Sequence, residues 1–144
     1  MIERTKDRRE VTLIELLVVV LIISIVAALA QPRLSHLIVK ARAADAISDM
    51  QAVRMAVYNY QTDQQEWPDE MGPGIMPEGL DEHLPDGFNI LKEDFTLDFE
   101  NWGGSPYMIG VALITSDPTL GLTALEMLAS PKWTLGDKYT WVIE

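Results

Sequence analysis

The sequence contains no cysteine, which excludes both a disulfide framework and a thiol nucleophile. Histidine is nearly absent as well: His36 and His83 lie in different regions of the chain, so we do not expect a histidine-based metal site. The sequence has neither a P-loop nor a G-x-S-x-G motif. The nearest approach to the second motif is Gly-Gly-Ser at residues 103–105, which is a turn signal. We therefore expect neither an enzyme nor a bound cofactor.

Basic residues are scarce in the C-terminal part of the chain. From Asp63 onward there are sixteen Asp and Glu residues against three bases, Lys92, Lys132 and Lys138, and the net charge of the whole sequence is −11. Nucleic-acid binding requires clustered Lys and Arg that displace counterions from phosphates. The charge pattern therefore predicts an acidic exterior and no nucleic-acid partner.

The carboxylates of this region form two local groups that lack the spacing of an EF-hand calcium loop. The groups are Asp81, Glu82 and Asp86, and Asp94, Asp98 and Glu100. We interpret both as solvated acidic surface and expect no metal ion at either.

Residues 11–30 form one long apolar block, interrupted only by Thr12, Glu15 and Ser24. As a helix it would extend about 30 Å, the thickness of the hydrocarbon core of a bilayer. Two alternatives are a buried helix of a soluble protein and a secretory signal peptide cleaved after the A-x-A pattern at residues 28–30. Glu15 argues against the signal peptide, because a carboxylate costs about 2.5–3.5 kcal/mol near the middle of a spanning helix.

The start of this block resembles the N-terminal motif of type IV prepilins and pseudopilins. The matching residues are Val-Thr-Leu-Ile-Glu at 11–15, the apolar run that follows, and Pro32, which lies 21 residues after Val11. The resemblance implies that a short leader, residues 1–10, is removed by a prepilin peptidase between Glu10 and Val11. It also implies N-methylation of the new terminus at Val11.

Glu10 departs from the family pattern, which usually has glycine before the cut. Glycine lets the backbone lie close to a protease, whereas a carboxylate adds bulk and like-charge repulsion beside an aspartic peptidase. Two alternatives are therefore slow cleavage and retention of residues 1–10 as a permanent signal anchor.

The resemblance also assigns roles to Glu15 and Pro32. Glu15 would pair with the terminal amine of a neighbouring subunit in a filament, because a buried carboxylate needs a charged partner. The alternative is that Glu15 extends toward lipid headgroups without a specific role. Pro32 would kink the helix, or else break it so that a new helix starts nearby.

The remaining residues predict an α+β fold of the pilin type. Apolar residues spaced by three and four predict that residues 32–62 continue the transmembrane segment, residues 11–31, as an amphipathic helix. Residues 63–87 are rich in proline, glycine and acids, which predicts a variable acidic loop. Residues 88–144 predict a small C-terminal antiparallel β-sheet with one short helix, and the long N-terminal helix would pack on this sheet.

Within residues 88–144, individual elements follow from periodicity and turn signals. Strands are predicted at residues 88–91, 95–99 and 107–115, and a helix from Asp117 and Pro118 to Ala129. Residues 133–135 and 139–143 flank Gly136 and Asp137, which predicts a hairpin.

These observations favour a structural subunit, a pseudopilin, of a type II secretion pseudopilus or a related type IV filament. The alternatives are a pilin of a type IV pilus, for adhesion, motility or DNA uptake, and a single-pass anchored domain that does not polymerise. The expected partners are copies of itself, other pilin-like subunits, the prepilin peptidase, an inner-membrane assembly platform and membrane lipid. The expected location is the inner membrane, with the N-terminus cytoplasmic and the C-terminal domain periplasmic.

If the leader is removed, the mature chain should begin at Val11, and intact-mass analysis of the membrane-extracted protein measures this directly. Glu10→Gly should accelerate cleavage by a prepilin peptidase, because the backbone can then approach the protease more closely. A mature chain that begins at Gln31 would establish a secretory signal peptide instead. An unchanged cleavage rate would show that Glu10 is no obstacle.

Overall fold

The computed structural model describes residues 11–104 and 108–144, which divide into two compact units, Met1–Leu37 and Ile38–Glu144. The elements are α1 (Leu13–Gln64), a short 3-10 helix (Asp81–His83), β1 (Thr96–Asn101), β2 (Ile109–Ile114), α2 (Pro118–Met127), β3 (Lys132–Leu135) and β4 (Lys138–Val142). Helix α1 contributes residues to both units, and each unit is described below by itself.

The described part of the first unit is the N-terminal portion of α1. Helical structure runs from Leu13 through Pro32 without interruption. The alternative of a helix break at Pro32 is therefore wrong, while the kink at this residue stays a prediction. From Leu13 the described segment is helical throughout, and a helix pairs most of its backbone N–H and carbonyl groups internally, as a membrane-spanning segment requires. The carbonyl of Ala28 is an exception, because Pro32 has no N–H.

In the second unit, α1 is amphipathic as its sequence predicts. Its buried residues recur at intervals of three or four and so lie on one face. They are Ala43, Ala46, Ile47, Met50, Val53, Ala56 and Val57. The helix ends at Gln64, two residues beyond the predicted boundary, where Gln65 adopts a left-handed φ of 62° and its N–H donates to the carbonyl of Gln61.

The sheet has the strand order β1-β2-β4-β3, and every pair of neighbouring strands is antiparallel. Alternate residues of β1, β2 and β4 point toward one face and join the buried side of α1 in a single apolar core. These sheet residues are Leu97, Phe99, Val111, Leu113, Tyr139 and Trp141. The fold is thus α+β, with a long helix packed on a small antiparallel sheet, as the sequence predicts.

The last two strands and α2 confirm the predicted hairpin and the predicted start of the short helix. Gly136, at the first central position of the two-residue β3–β4 hairpin, has a φ of +65°, which favours glycine. Asp117 caps α2: its Oδ1 accepts hydrogen bonds from the N–H groups of Thr119 (2.9 Å) and Leu120 (3.3 Å). The helix ends at Met127, two residues before the predicted end.

The strand predicted at residues 88–91 is wrong, because Leu91 forms only an isolated bridge with Thr96. The side chain of Asn89 accepts a hydrogen bond from the N–H of Leu91 at 2.9 Å, which turns the backbone instead of extending it. The N–H of Lys92 then donates to the carbonyl of Phe95, which closes a tight turn into β1.

The acidic loop covers the outer edge of β1. The N–H of Gly74 donates to the carbonyl of Leu97, and the N–H of Leu97 donates to the carbonyl of Ile90. Leu80 and Pro68, within the loop, are among the fully buried side chains. The loop therefore protects an edge that would otherwise be open to strand pairing.

Gly121 provides a test of how α2 packs on β4. A Cβ atom at this position would lie 2.1 Å from the ring of Tyr139, which is itself buried. Gly121→Ala should lower the free energy of unfolding by about 1–3 kcal/mol, because overpacking outweighs the gain in helix propensity. Urea unfolding of the detergent-extracted chain measures this. Leu122→Ala, at an exposed position of the same helix, should change it much less; a Gly121→Ala chain as stable as the original would contradict the packing.

Candidate functional site

The predicted assembly residue Glu15 lies in the first turn of α1, next to Thr12. The N–H and the hydroxyl of Thr12 both donate to Oε2 of Glu15 at 3.0 Å, and the N–H of Glu15 donates to Oγ1 of Thr12 at 3.3 Å. Thr12 immediately precedes the first helical residue, Leu13. The two side chains therefore form a reciprocal capping box, which satisfies backbone N–H groups that have no partner within the helix.

The capping box holds the Glu15 carboxylate in a defined position. Both bonds from Thr12 reach Oε2, and among the described residues no group donates to Oε1 of Glu15. The negative charge lies at the N-terminal end of the helix, where the helix dipole stabilises it. Oε1 can therefore accept a hydrogen bond from a further donor while the cap stays intact.

The surroundings of this carboxylate are apolar and uncovered. The large apolar side chains of residues 11–29 are between 49% and 75% exposed in the isolated chain. One helix, α1, is long and apolar enough to cross a membrane: an 18-residue window reaches a mean hydropathy of 3.0 and is 0% buried. The segment fits a membrane anchor, and its apolar surface must be covered by lipid or by other helices.

The structure brings some of the predicted site residues together. Val11 precedes the helix beside Thr12 and Glu15, whereas Pro32 lies in the same helix seventeen residues after Glu15. Glu10, on the predicted cleavage bond, lies outside the described residues. Cleavage at Glu10 and Val11, and methylation of Val11, stay predictions.

Sequence reasoning missed the capping role of Thr12. The signal was present, since Thr-x-x-Glu directly before an apolar run is the pattern of a capping box.

The prediction of a solvated surface is wrong for two of the acidic residues. Asp98 and Glu100 are buried, at 2% and 8% exposure, on the face of the sheet opposite α1. Lys138 of β4 bridges them: its Nζ donates to Oδ2 of Asp98 at 2.7 Å and to Oε1 of Glu100. Asp94 is exposed and pairs with Arg42 at 3.4 Å.

The other predicted acidic group, Asp81, Glu82 and Asp86, is exposed as expected. Within residues 11–104 and 108–144 there is no group of three or more His, Cys, Asp or Glu residues that could hold a metal ion. At Asp98 and Glu100 the cation is the ammonium group of Lys138.

Burial and charge oppose one another in the Asp98–Glu100–Lys138 cluster. Burial raises the pKa of Asp98 above its ordinary value, against the lowering effect of Lys138. Burial also lowers the pKa of Lys138, but its hydrogen bonds to the two carboxylates outweigh this and raise it. Oδ1 of Asp98 is buried and has no hydrogen-bond partner among the described residues. Two carboxylates thus share a single cation.

Comparison with known families supports a pilin-like fold. Residues 37–107 match the family model described as PilW, C-terminal, which is a type IV pilus-associated, pilin-like family. The match confirms the pilin-like resemblance, and it covers the part of the chain that follows the apolar N-terminal segment. No curated protein and no solved structure matches the chain.

The raised pKa of Asp98 predicts a pH dependence of stability. An acid whose pKa is raised by folding contributes more to stability as the pH falls through its folded pKa toward its unfolded value of 3.8. Lys138 stays protonated over this range, because its pKa is raised from 10.5. From pH 7 to pH 4, the original chain should therefore gain stability relative to Asp98→Asn, whose amide does not titrate. Unfolding of both proteins in detergent at several pH values measures this, and a stability difference independent of pH would contradict it.

Proposed function

We propose that this pilin-like chain is a structural, non-enzymatic subunit, a pseudopilin, of a type II secretion pseudopilus or a related type IV filament. In this proposal the subunits associate through the apolar N-terminal part of α1. The observation that supports it most directly is a carboxylate, Glu15, fixed at the start of a helix whose apolar side chains are exposed on all sides.

The chemistry of Glu15 favours a charged partner from another subunit. Among helices that exclude water, a carboxylate with only the two donors of Thr12 is poorly satisfied, because a buried charge needs a counter-charge. The terminal ammonium of a neighbouring chain cut before Val11 would provide that charge at Oε1. The pair would then fix the axial position of one helix against the next.

Cleavage is therefore part of the proposed mechanism. In an uncut chain Val11 presents an amide N–H, which donates one hydrogen bond and has no charge. In a cut chain Val11 presents an ammonium group with three donors. The capping box of Thr12 and Glu15 does not use this group, so the amine remains free for a neighbour.

A second candidate is a pilin of a type IV pilus. The match to the family model described as PilW, C-terminal, supports a type IV pilus-related function in general and does not distinguish this candidate from a secretion pseudopilus. Both candidates require the same assembly through the N-terminal helix, and they differ in the machine and in the other subunits present. The acidic charge balance of the second unit argues against a pilin that binds DNA at a tip.

The proposal places the chain in the inner membrane, with residues 1–10 in the cytoplasm and the second unit in the periplasm until assembly. Its partners would be its own copies, other pilin-like subunits, a prepilin peptidase and an assembly platform in the membrane. Co-purification of such components with the tagged chain would support this placement.

The assembly role of Glu15 and its capping role can be separated by substitution. Glu15→Gln keeps an acceptor for Thr12 but removes the charge, so filament yield should fall substantially. Thr12→Ala removes the side-chain half of the cap at a cost of about 1 kcal/mol but leaves the charge, so filament yield should fall less. Sheared-filament yield at equal membrane levels measures both.

Comparing the filament yields of Glu15→Gln and Thr12→Ala shows whether assembly depends on the ion pair or on the cap. A larger defect for Thr12→Ala than for Glu15→Gln would mean that the cap, not the ion pair, is the feature that assembly needs. Normal yield from both would contradict any assembly role for this pair. Glu15→Leu should insert into membranes at least as well as the original, because it removes a charge from the apolar block.

A further inference from the structure

The six basic residues of the second unit differ in whether their charged group contacts an acid or a carbonyl group of the same chain. Four contact acids or carbonyl groups: Arg42 with Asp94, Lys92 with Asp49, Lys132 with the carbonyls of Leu125 and Leu128, and Lys138 with Asp98 and Glu100. The other two are Lys40 and Arg54, both on α1. Within residues 11–104 and 108–144 neither forms an ion pair. The unit contains eighteen acids, so a base without an acidic partner within the chain can attract an acid of another molecule.

Arg54 is exposed but held in place. Its guanidinium lies over the ring of Tyr58, 5.5 Å from the ring centroid, and over the ring of Trp141, 5.3 Å from that centroid. Contact with two aromatic rings and with the Tyr58 hydroxyl orients the planar guanidinium, which has five N–H donors. Tyr58 is fixed in turn, because its hydroxyl donates to the carbonyl of Ile143 at 2.7 Å and to Oε2 of Glu144 at 3.0 Å.

Arg54 borders a groove of about 400 Å³. Its other lining residues follow α2 or belong to the C-terminal end of the chain: Ala129, Ser130, Pro131, Trp141, Val142, Ile143 and Glu144. The neighbouring carboxylate, Glu144, accepts the hydrogen bond of Tyr58 and forms no ion pair with Arg54. The groove thus presents an oriented guanidinium next to apolar side chains, Ser130 and the carboxylate of Glu144.

We propose that the Arg54 groove binds a carboxylate on the acidic loop of a second copy of this chain. The proposal rests on the proposed filament and adds a contact between the second units of adjacent subunits. Planar guanidinium groups bind carboxylates through two parallel hydrogen bonds, so an acidic side chain is the ligand that the groove fits best.

The same chain presents a surface of complementary charge. The acidic loop, residues 63–87, contains eight acids and no Lys or Arg. Asp63 pairs with His83, and Glu70 accepts from the N–H of Asn101. The other six acids are exposed and form no ion pair among the described residues, and of these Asp81 and Glu82 are adjacent on the 3-10 turn. Asp81 and Glu82 are therefore our candidates for the contact with Arg54.

A second copy is favoured as the occupant because the groove and the acidic turn are different surfaces of one chain. When two different surfaces of the same chain complement each other, the contact is head-to-tail, and it extends into an open helical array unless the rotation closes a ring. This is the symmetry of a filament. A basic partner protein would fit the acidic turn but would leave the Arg54 groove unoccupied.

A charge exchange tests the contact in the full-length chain. Arg54→Glu should reduce the yield of sheared filaments several-fold at equal membrane levels, because two acidic surfaces then face one another. Adding Asp81→Lys and Glu82→Lys to the same chain should restore much of the yield. The matched control is Lys40→Glu, which makes the same change of charge on the same helix outside the groove and should have little effect. Normal yield from Arg54→Glu, or an equal loss from Lys40→Glu, would overturn the proposal.

Cross-linking decides the matter if Arg54→Glu does not fold. Because the chain has no cysteine, two tagged copies can be co-expressed with one cysteine each, Ser130→Cys in the first and Glu82→Cys in the second. Oxidation should join the two tags in a single product.

A control pair, Ile22→Cys in both copies, reports whether the N-terminal helices associate. A product at residue 22 without one between residues 130 and 82 would overturn the groove contact alone. Absence of both products would overturn the groove contact together with the proposed filament.

Discussion

The apolar surface of residues 11–30 is the constraint on which the rest of the molecule depends. A helix with twenty mostly apolar residues on all sides cannot be covered by the chain itself, and its side chains are exposed in the described structure. Only lipid or other such helices can remove this surface from water. Glu15 is the one charge in the segment, so in the proposed filament the position of its partner would decide which helices can pack side by side.

In the second unit α1 has a different role, because there it forms part of the apolar core. There α1 is amphipathic, and small residues such as Ala43, Ala46 and Ala56 allow the helix to pack closely on the sheet. The opposite face of the sheet differs, because there the buried carboxylates of Asp98 and Glu100 share the ammonium group of Lys138. One helix therefore serves as anchor and as core, and its sequence changes from uniformly apolar to periodic where that role changes.

Periodicity and turn chemistry were enough to predict most of the fold. The amphipathic helix, the cap at Asp117 and the hairpin at Gly136 follow from local residues, and all three are observed. The predictions that are wrong concern residues whose environment depends on contacts that the local sequence does not show. Residues 88–91 look apolar enough for a strand, but the side chain of Asn89 turns the backbone. Asp98 and Glu100 looked like solvated surface, because their partner, Lys138, is distant in sequence and meets them only through the pairing of strands.

The central claim is that copies of this chain associate side by side through the apolar part of α1. Because the sequence lacks cysteine, single cysteines at successive positions from 16 to 26 give a background-free measurement of contacts between helices in the membrane. The account predicts ladders of cross-linked species whose intensity rises and falls with the helical period of about 3.6 residues. If the variants remained monomeric at every position, in cells that contain the assembly components, the result would contradict the account.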